Sequence, residues 1–370
     1  MLRVLVDGVI YGLQRYGGIS NCFTETLSRL GFHCDDIEVI VYISENPQAK
    51  TPRAKWIREI VDRKLRPQMI FGHICKEASK IRVRMLRPQI FHSTYYTSPS
   101  WLGMRTVVTV HDFIDEKFPA LRGNPTSLSD QKRRAVESAD AIVAVSNCVK
   151  NDILRYTKTE ESRIVVIHHG VSDAFLVAAP SEKAISRFRE AHGIGNPYWL
   201  YVGNRGLYKN FGTLLRAFVR IAPQTGGYLV TVGGEHRLEP WQVDLLIKNR
   251  LEKKVCLLSA ISDSNLQIAY SGATAFVFPS LAEGFGIPLL EAMACGTPVI
   301  ASDVPTFREV AAVAALYFHP HAEEELAHVM TSVLEESVRM RLVEAGHKQV
   351  GNFSWDIAAQ KLGDVYRSLA

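Results

Sequence analysis

The chain has 370 residues, 47% of them hydrophobic and 22% charged, a length that predicts two domains and a composition that excludes disordered and collagen-like chains. Its apolar runs, such as DAIVAVS (140–146) and ATAFVFPS (273–280), fall well short of the ~20 residues of a membrane-spanning helix. The opening MLRVLVDG lacks the length and cleavage site of a signal peptide, so a cytoplasmic protein is expected.

The first predicted strand, LRVLVDG (2–8), runs into a loop, DGVIYGLQRYGGIS (7–20), whose Gly8, Gly12, Gly17 and Gly18 precede a helix. Paired glycines let a backbone approach a phosphate, although the spacing is not G-x-G-x-x-G, and a plain tight turn is the alternative. IEVIVYIS (37–44) is the next strand. The formal charge of +5 then proves to be local, because residues 50–87 hold 12 Lys/Arg against 3 Asp/Glu. Interleaved with Trp56, Ile57, Ile60, Met69, Ile70 and Phe71, these cations over 50–88 suit an interfacial helix on an anionic membrane, with a solvated insert as the alternative. Nucleic acid is not expected, because no aromatic stacking platform accompanies the charge.

Strands follow at PQIFHS (88–93), TVVTVHD (106–112), DAIVAVS (140–146) and RIVVIHHG (163–170). Near-continuous Val/Ile runs indicate strands buried on both faces, hence a parallel sheet between helices. The loop-rich stretch 172–197 marks a junction, after which the pattern restarts with YWLYVG (198–203), YLVTVGG (228–234), VCLLSAI (255–261), ATAFVFPS (273–280) and TPVIAS (297–302). The expected fold is α/β, with two doubly wound, Rossmann-like domains facing across a cleft: residues 1–175, residues 176–353, and a terminal helix at about 354–370 that packs back on the first. Six scattered cysteines, none in a C-x-x-C pair, fit neither a zinc site nor a disulfide framework.

Ligands of such sheets bind at the carboxyl ends of the strands. The sharpest signal there is AEGFGIPLLEAMACGTPVIAS (282–302), a glycine-punctuated loop leading into a helix with Pro288 in its first turn. Glu283 and Glu291 flank that helix start, where N–H groups favour an anion and carboxylates suit hydroxyl-rich partners. Their bland reading is a loop charge and a first-turn acid. In YVGNRGLYKN (201–210), Arg205 and Lys209 are placed to clamp a diphosphate, unless they are solvated turn residues. His111 and Asp112 end a strand in TVHDFIDEKFP (109–119), whereas His168, His169, His319 and His321 lack partners at metal-ligand spacing and read as structural.

Taken together, the E-x7-E pair, the VGN…KN turn, the His-Asp strand end, the GG loop, the SDSNLQIAYSGA segment (262–273) and the terminal FSW helix resemble family 4 of the retaining glycosyltransferases of GT-B fold over nearly the whole chain. The resemblance implies that Glu283 contacts sugar hydroxyls near the reaction centre, that Glu291 binds ribose hydroxyls, and that Arg205 and Lys209 hold the diphosphate. His111 would face the transferred sugar, with Gly17 and Gly18 closing from the first domain. Gly203, Asn204, Ala260, Ile261, Gly284, Phe285, Gly286, Ile287, Pro288 and Leu289 would border the donor, largely through backbone. Tyr208 stands where many relatives carry a basic residue, and His169-Gly170 replaces a common Asn-Gly.

The implied reaction moves a hexose, mannose from GDP-mannose or glucose from UDP-glucose, to the hydroxyl of a glycan or lipid-linked glycan acceptor, with retention, in cell-surface or exported polysaccharide synthesis. No Asp-x-Asp occurs, so no metal and no cofactor is expected beyond the UDP- or GDP-linked substrate, and the enzyme is expected at the inner face of the cytoplasmic membrane. A nucleotide-sugar epimerase and a non-catalytic nucleotide-sugar-binding module remain as alternatives.

Overall fold

The computed structural model describes residues 1–14, 17–44, 47–62, 81, 83–98, 103–119, 126–235, 237–259 and 261–370. The chain forms two units, one of residues 1–170 with 354–370 and the other of residues 171–353.

The first unit holds an all-parallel sheet in the order β3-β2-β1-β4-β5-β6-β7. Its strands are β1 (Leu2–Val6), β2 (Ile37–Ser44), β3 (Ile57–Asp62), β4 (Ile90–Ser93), β5 (Arg105–Val110), β6 (Ala141–Ala144) and β7 (Ile164–Val166). β4 and β6 are buried at every position, as a sheet covered on both faces requires. The edge strand β3 corrects an expectation. Residues 57–62, read from sequence as part of an interfacial helix, pair in register with β2, where the β-branched Ile57, Ile60 and Val61 suit a strand. Ile60 packs with Leu5, Ile40, Tyr42 and Phe91, and the Trp56 indole donates to the Leu27 carbonyl at 3.0 Å, so neither is free to enter a lipid surface. Exposed Arg58 and Glu59 leave this edge charged, which discourages pairing with another chain. Most of the remaining basic stretch, 63–80 and 82, lies outside the described residues.

Helix α1 (Val9–Leu13) and helix α2 (Gly18–His33) follow β1. The final helix, α3 in our labelling (Trp355–Ser368), lies against α2, with His33 Nε2 2.9 Å from Asp356 Oδ1 and Arg367 paired to Asp36 at 2.6 Å. A Cβ on Gly363 would run into the Cys34 sulfur, so a residue without a side chain is what lets α2 and α3 close up.

The second unit repeats the plan with order β10-β9-β8-β11-β12-β13, again all parallel. These are β8 (Tyr198–Val202), β9 (Tyr228–Val232), β10 (Val255–Leu258), β11 (Ala275–Phe278), β12 (Val299–Ser302) and β13 (Ala315–Phe318). Helix α4 (Phe211–Thr225) buries Phe211, Leu214, Leu215, Phe218 and Ile221, spaced along one helical stripe, against Trp199, Leu229 and Val277. Fully burying each such side chain contributes about 1.5–3 kcal/mol. The Trp199 indole meets its remaining polar demand by donating to the Met330 carbonyl at 3.2 Å. The stretch 172–197, read from sequence as loop, also carries a helix at Glu182–Ala191, capped by the Ser181 hydroxyl. In both sheets the strand order reverses once, at β1/β4 and at β8/β11, and these switch points are where open α/β sheets gather ligands.

Candidate functional site

The β8/β11 switch point brings together side chains far apart in sequence. After β8, a short turn over Leu207–Lys209 ends at Asn210, which holds a left-handed conformation (φ 55°) and starts α4. The Asn210 amide donates to the carbonyls of Pro279 (3.0 Å) and Pro320 (2.7 Å), tying this turn to the ends of β11 and β13. Leu281 N adds a bond to the Tyr208 carbonyl at 2.8 Å. With both loops so fixed, Lys209 Nζ lies 2.6 Å from Glu283 Oε1, and both side chains are largely buried (14% and 12% exposed). The ammonium also sits over the Tyr208 and Phe278 rings, 5.1 and 5.5 Å from their centroids. Thr306 Oγ1 donates to the Glu283 carbonyl at 2.9 Å, holding the loop from β12's side.

Helix α5 (Ile287–Ala294) begins beside that loop, at Gly286, and no side chain caps it. Gly286 has φ 104°, and a Cβ there would press to 3.1 Å from Leu289 and 3.3 Å from Phe307, so glycine is required by both backbone and packing. Phe285 and Leu289 are buried in the core, while Ile287 and Pro288 are half-buried at the start of α5. Glu291, about one turn into α5, takes a partner different from that of Glu283: the buried Tyr270 hydroxyl donates to its Oε2 at 2.9 Å. Burial pushes the Glu291 carboxyl up to about 7, with Tyr270 pulling it down and nearby Asp263 pushing it further up. Tyr270 was not singled out by sequence reasoning. Its one signal was the tyrosine in SDSNLQIAYSGA, indistinguishable there from a core residue.

Arg205 stands at the same strand ends but is engaged otherwise. Its guanidinium donates to Thr231 Oγ1 (3.4 Å) and to the carbonyls of Gly233 (3.3 Å), Arg237 (3.2 Å) and Glu235, pinning the loop after β9. Gly203 (φ 136°), Gly233 (φ 90°) and Gly234 (φ 75°) keep the backbone beside it free of side chains. The Asn204 side chain accepts from Gly206 N at 3.2 Å, shaping the turn. Ile261 lies just past β10, next to Ser262, whose hydroxyl caps the helix α6 (Asp263–Ser271), and Ala260 lies outside the described residues.

In the first unit, His111 just past β5 is buried, and its Nε2 has no hydrogen-bond partner among the described residues. Burial, with smaller repulsion from His92 and Lys132, pushes it down to about 3, so the ring is neutral. His169, read from sequence as structural, stacks on it at 6.2 Å, and Phe23 meets it edge-on at 5.9 Å. His92 is neutral for the same reason and bridges Tyr366 OH (2.6 Å) and Thr109 Oγ1 (2.8 Å). Asp112 does not join this group: its carboxylate accepts from Ile114 N at 3.2 Å, and its carbonyl accepts from the buried Lys132 ammonium at 3.0 Å. Gly17 and Gly18 form the head of α2, Gly17 in extended backbone. Among the described residues no group of three or more His, Cys, Asp or Glu is placed to hold a metal ion, and no helix is long and apolar enough to cross a membrane.

These features define a class, chains built of two Rossmann-like units, each with one parallel sheet. The Glycosyltransferase Family 4 model matches residues 16–175 and the Glycosyl transferases group 1 model matches residues 182–349. The chain belongs to this glycosyltransferase family, of GT-B fold, which makes it a transferase and sets aside the epimerase. It is 28% identical over 296 residues to O-antigen chain mannosyltransferase B of Escherichia coli, covering 78% of this chain and 76% of that one. It is also 28% identical over 264 residues to O-antigen chain mannosyltransferase RfbU of Salmonella typhimurium, covering 70% and 69%. Among solved structures, sucrose-phosphate synthase of Thermosynechococcus elongatus superposes with TM-score 0.77 at 21% identity (100% and 99% covered). HepE of Anabaena in complex with UDP and glucose does so with TM-score 0.76 at 17% identity, both chains covered throughout. At these identities the structures bear on fold.

Proposed function

We propose that the chain transfers a hexose, with mannose from GDP-mannose ahead of glucose from UDP-glucose, to an acceptor glycan hydroxyl with retention at the anomeric carbon, in bacterial cell-surface polysaccharide synthesis. The observation that carries the reading is the Lys209–Glu283 pair at 2.6 Å on the β8/β11 switch point, beside the uncapped start of α5. Breaking the bond to the donor diphosphate builds negative charge on the leaving group and positive charge on the sugar ring. Lys209 and the N–H groups of α5 are fixed in advance where the former would develop, and preorganised charge of this kind is the largest single source of rate enhancement in many enzymes. With side-chain cations in that role, the reading requires no divalent metal. Glu283, oriented by Lys209, is assigned to the sugar hydroxyls and Glu291 to the ribose. His111 is assigned to the transferred sugar, its buried neutral ring having a nitrogen to offer a hydroxyl. The mannosyltransferase names of the relatives support the choice of sugar and process.

The reading extends to a cytoplasmic enzyme working on a lipid-linked acceptor at an anionic membrane, supported by the 12 Lys/Arg against 3 Asp/Glu over residues 50–87. Flotation with anionic vesicles is expected to show salt-sensitive binding, and its absence would remove the membrane from the proposal.

Thermal unfolding with UDP and GDP in EDTA tests the core of it. Near 100 times the dissociation constant, one nucleotide should raise stability by about 2.7 kcal/mol, a shift of roughly 5–10 °C that Lys209→Ala abolishes. No shift with either nucleotide would overturn the donor site. Binding without turnover of GDP-mannose or UDP-glucose on any glycan acceptor would favour the non-catalytic module, and an inverted anomeric centre in the product would overturn retention.

A further inference from the structure

The geometry points to Tyr270 as a positioning residue of the donor site, one that fixes a single oxygen of Glu291 and leaves the other free to hold a vicinal diol. The inference rests on the reading of Glu291 as a ribose ligand. Tyr270 is immobilised on several sides. Its ring lies edge-on to Phe175 (6.0 Å, 82°) and to Phe276 (5.5 Å, 75°), and its carbonyl accepts from Thr297 Oγ1 at 2.8 Å. A ring held this way cannot follow a moving carboxylate, so the 2.9 Å bond from its hydroxyl sets where Glu291 Oε2 must lie. Oε1 then has a defined direction, and no protein partner takes it among the described residues. A carboxylate with one anchored oxygen is suited to accept from adjacent hydroxyls, whereas one rotating freely would lose orientation on binding.

The surrounding charges bear on the same bond. Asp263 and Tyr270 face Glu291 from α6 and Cys295 faces it from the end of α5, and of these only the Tyr270 hydroxyl favours the ionised form that a diol requires. A tyrosine kept merely as core would satisfy its hydroxyl on Glu291 as well, so the test must separate orientation from packing.

Calorimetric titrations of UDP and GDP and of their 2′,3′-dideoxy counterparts would be compared for wild type, Tyr270→Phe and Glu291→Gln. The wild type is expected to prefer the ribonucleotide. Tyr270→Phe is expected to cut that preference about tenfold while leaving dideoxynucleotide affinity unchanged. It should also move the midpoint of the pH dependence of ribonucleotide binding upward from about 7, because a bond that lowers the Glu291 pKa is gone. Equal losses for both nucleotides, or an intact preference in Tyr270→Phe while Glu291→Gln erases it, would overturn the role of Tyr270 alone. An intact preference in Glu291→Gln would overturn the ribose reading, and this inference with it.

Discussion

The two units use one topology to opposite ends at their switch points. At β1/β4 a carboxylate of the protein fills the demand: buried Asp7 accepts from Val9 N (3.2 Å), Thr94 N (2.9 Å) and Ser93 Oγ (3.3 Å), and from the hydroxyls of Thr94 and Thr97. The strand end and helix start are thereby satisfied internally, and the groups nearby are neutral imidazoles, His92, His111 and His169. At β8/β11 no side chain caps α5, and Lys209, Glu283 and Glu291 stand at the strand ends. A sheet that answers its own N–H groups with an aspartate has no need of an anion. One that leaves them uncapped beside a lysine is where the proposed function puts one. On the function proposed above, the second unit takes the diphosphate and the first the hydroxyls.

The sharpest way to break this contrast is to remove the cation. Lys209→Ala should lower kcat/KM by roughly a hundred- to a thousandfold, as loss of a charge aimed at a developing anion does. It also leaves Glu283, 12% exposed, without its partner, so some loss of stability is expected. The double variant Lys209→Ala/Glu283→Gln should recover that stability without recovering activity. Recovery of both would show the pair to be structural.

The contrast also predicts opposite responses to pH, to be read by hydrogen exchange in peptides from each sheet. In the first unit the histidines are depressed, to about 3 for His92 and His111 and well down for His169. The unfolded chain therefore binds more protons between pH 6.5 and about 3. Stability is full well above 6.5 and falls on acidification, by about 2 kcal/mol at pH 5 for each of His92 and His111. In the second unit Glu291 is raised to about 7, so the folded state holds the extra proton, and its contribution is present below about 4.5 and lost as pH rises through 7. Glu291→Gln should remove that alkaline loss, on the order of 3 kcal/mol. A first unit indifferent to acid would contradict its neutral histidines.

His111 sharpens the contrast from the other side. His111→Ala is expected to lower kcat about a hundredfold while nucleoside diphosphate affinity stays within twofold, because an imidazole with an unpartnered Nε2 addresses a hydroxyl and not a phosphate. A parallel loss of nucleotide affinity would assign the residue to packing.

How much of this was legible in the sequence follows from which forces act locally. Strands β1, β4, β8 and β11 announced themselves as largely apolar runs, since burial on both faces leaves few polar positions in them. Two of the four edge strands escaped. IREIVD (β3) is charged because one side meets solvent, and ALYF (β13) is too short to outweigh its neighbours. Lys209, Glu283 and Glu291 were visible because strand-end loops of an α/β sheet gather ligands whatever their detail. Their partners were not: a 2.6 Å contact across 74 residues and the Tyr270 bond across 21 residues depend on loop closure that no local pattern encodes. Asp7 and Lys132 were missed for the same reason, as charges whose burial is decided by residues 87 and 16 positions away.

Arg205 carries the smallest expected effect and the finest distinction within the second unit. Sequence places both as cations in one turn and already ranks Arg205 below Lys209, because Tyr208 stands where many relatives carry a basic residue. The structure separates them: the Lys209 ammonium meets a carboxylate, whereas Arg205 donates to Thr231 and to three carbonyls of the loop after β9. To grip a diphosphate Arg205 would have to exchange those bonds, so the net gain would be the difference between two sets of hydrogen bonds and not a full charge contact. Arg205→Ala is therefore expected to weaken nucleoside diphosphate binding by less than about tenfold, well under the Lys209→Ala effect. Hydrogen exchange in residues 233–237 should speed up in the same variant without nucleotide present. If the exchange of that loop were unchanged while nucleotide affinity fell as far as in Lys209→Ala, the two cations would be equivalent clamps, and the pinning of the loop would be incidental to both.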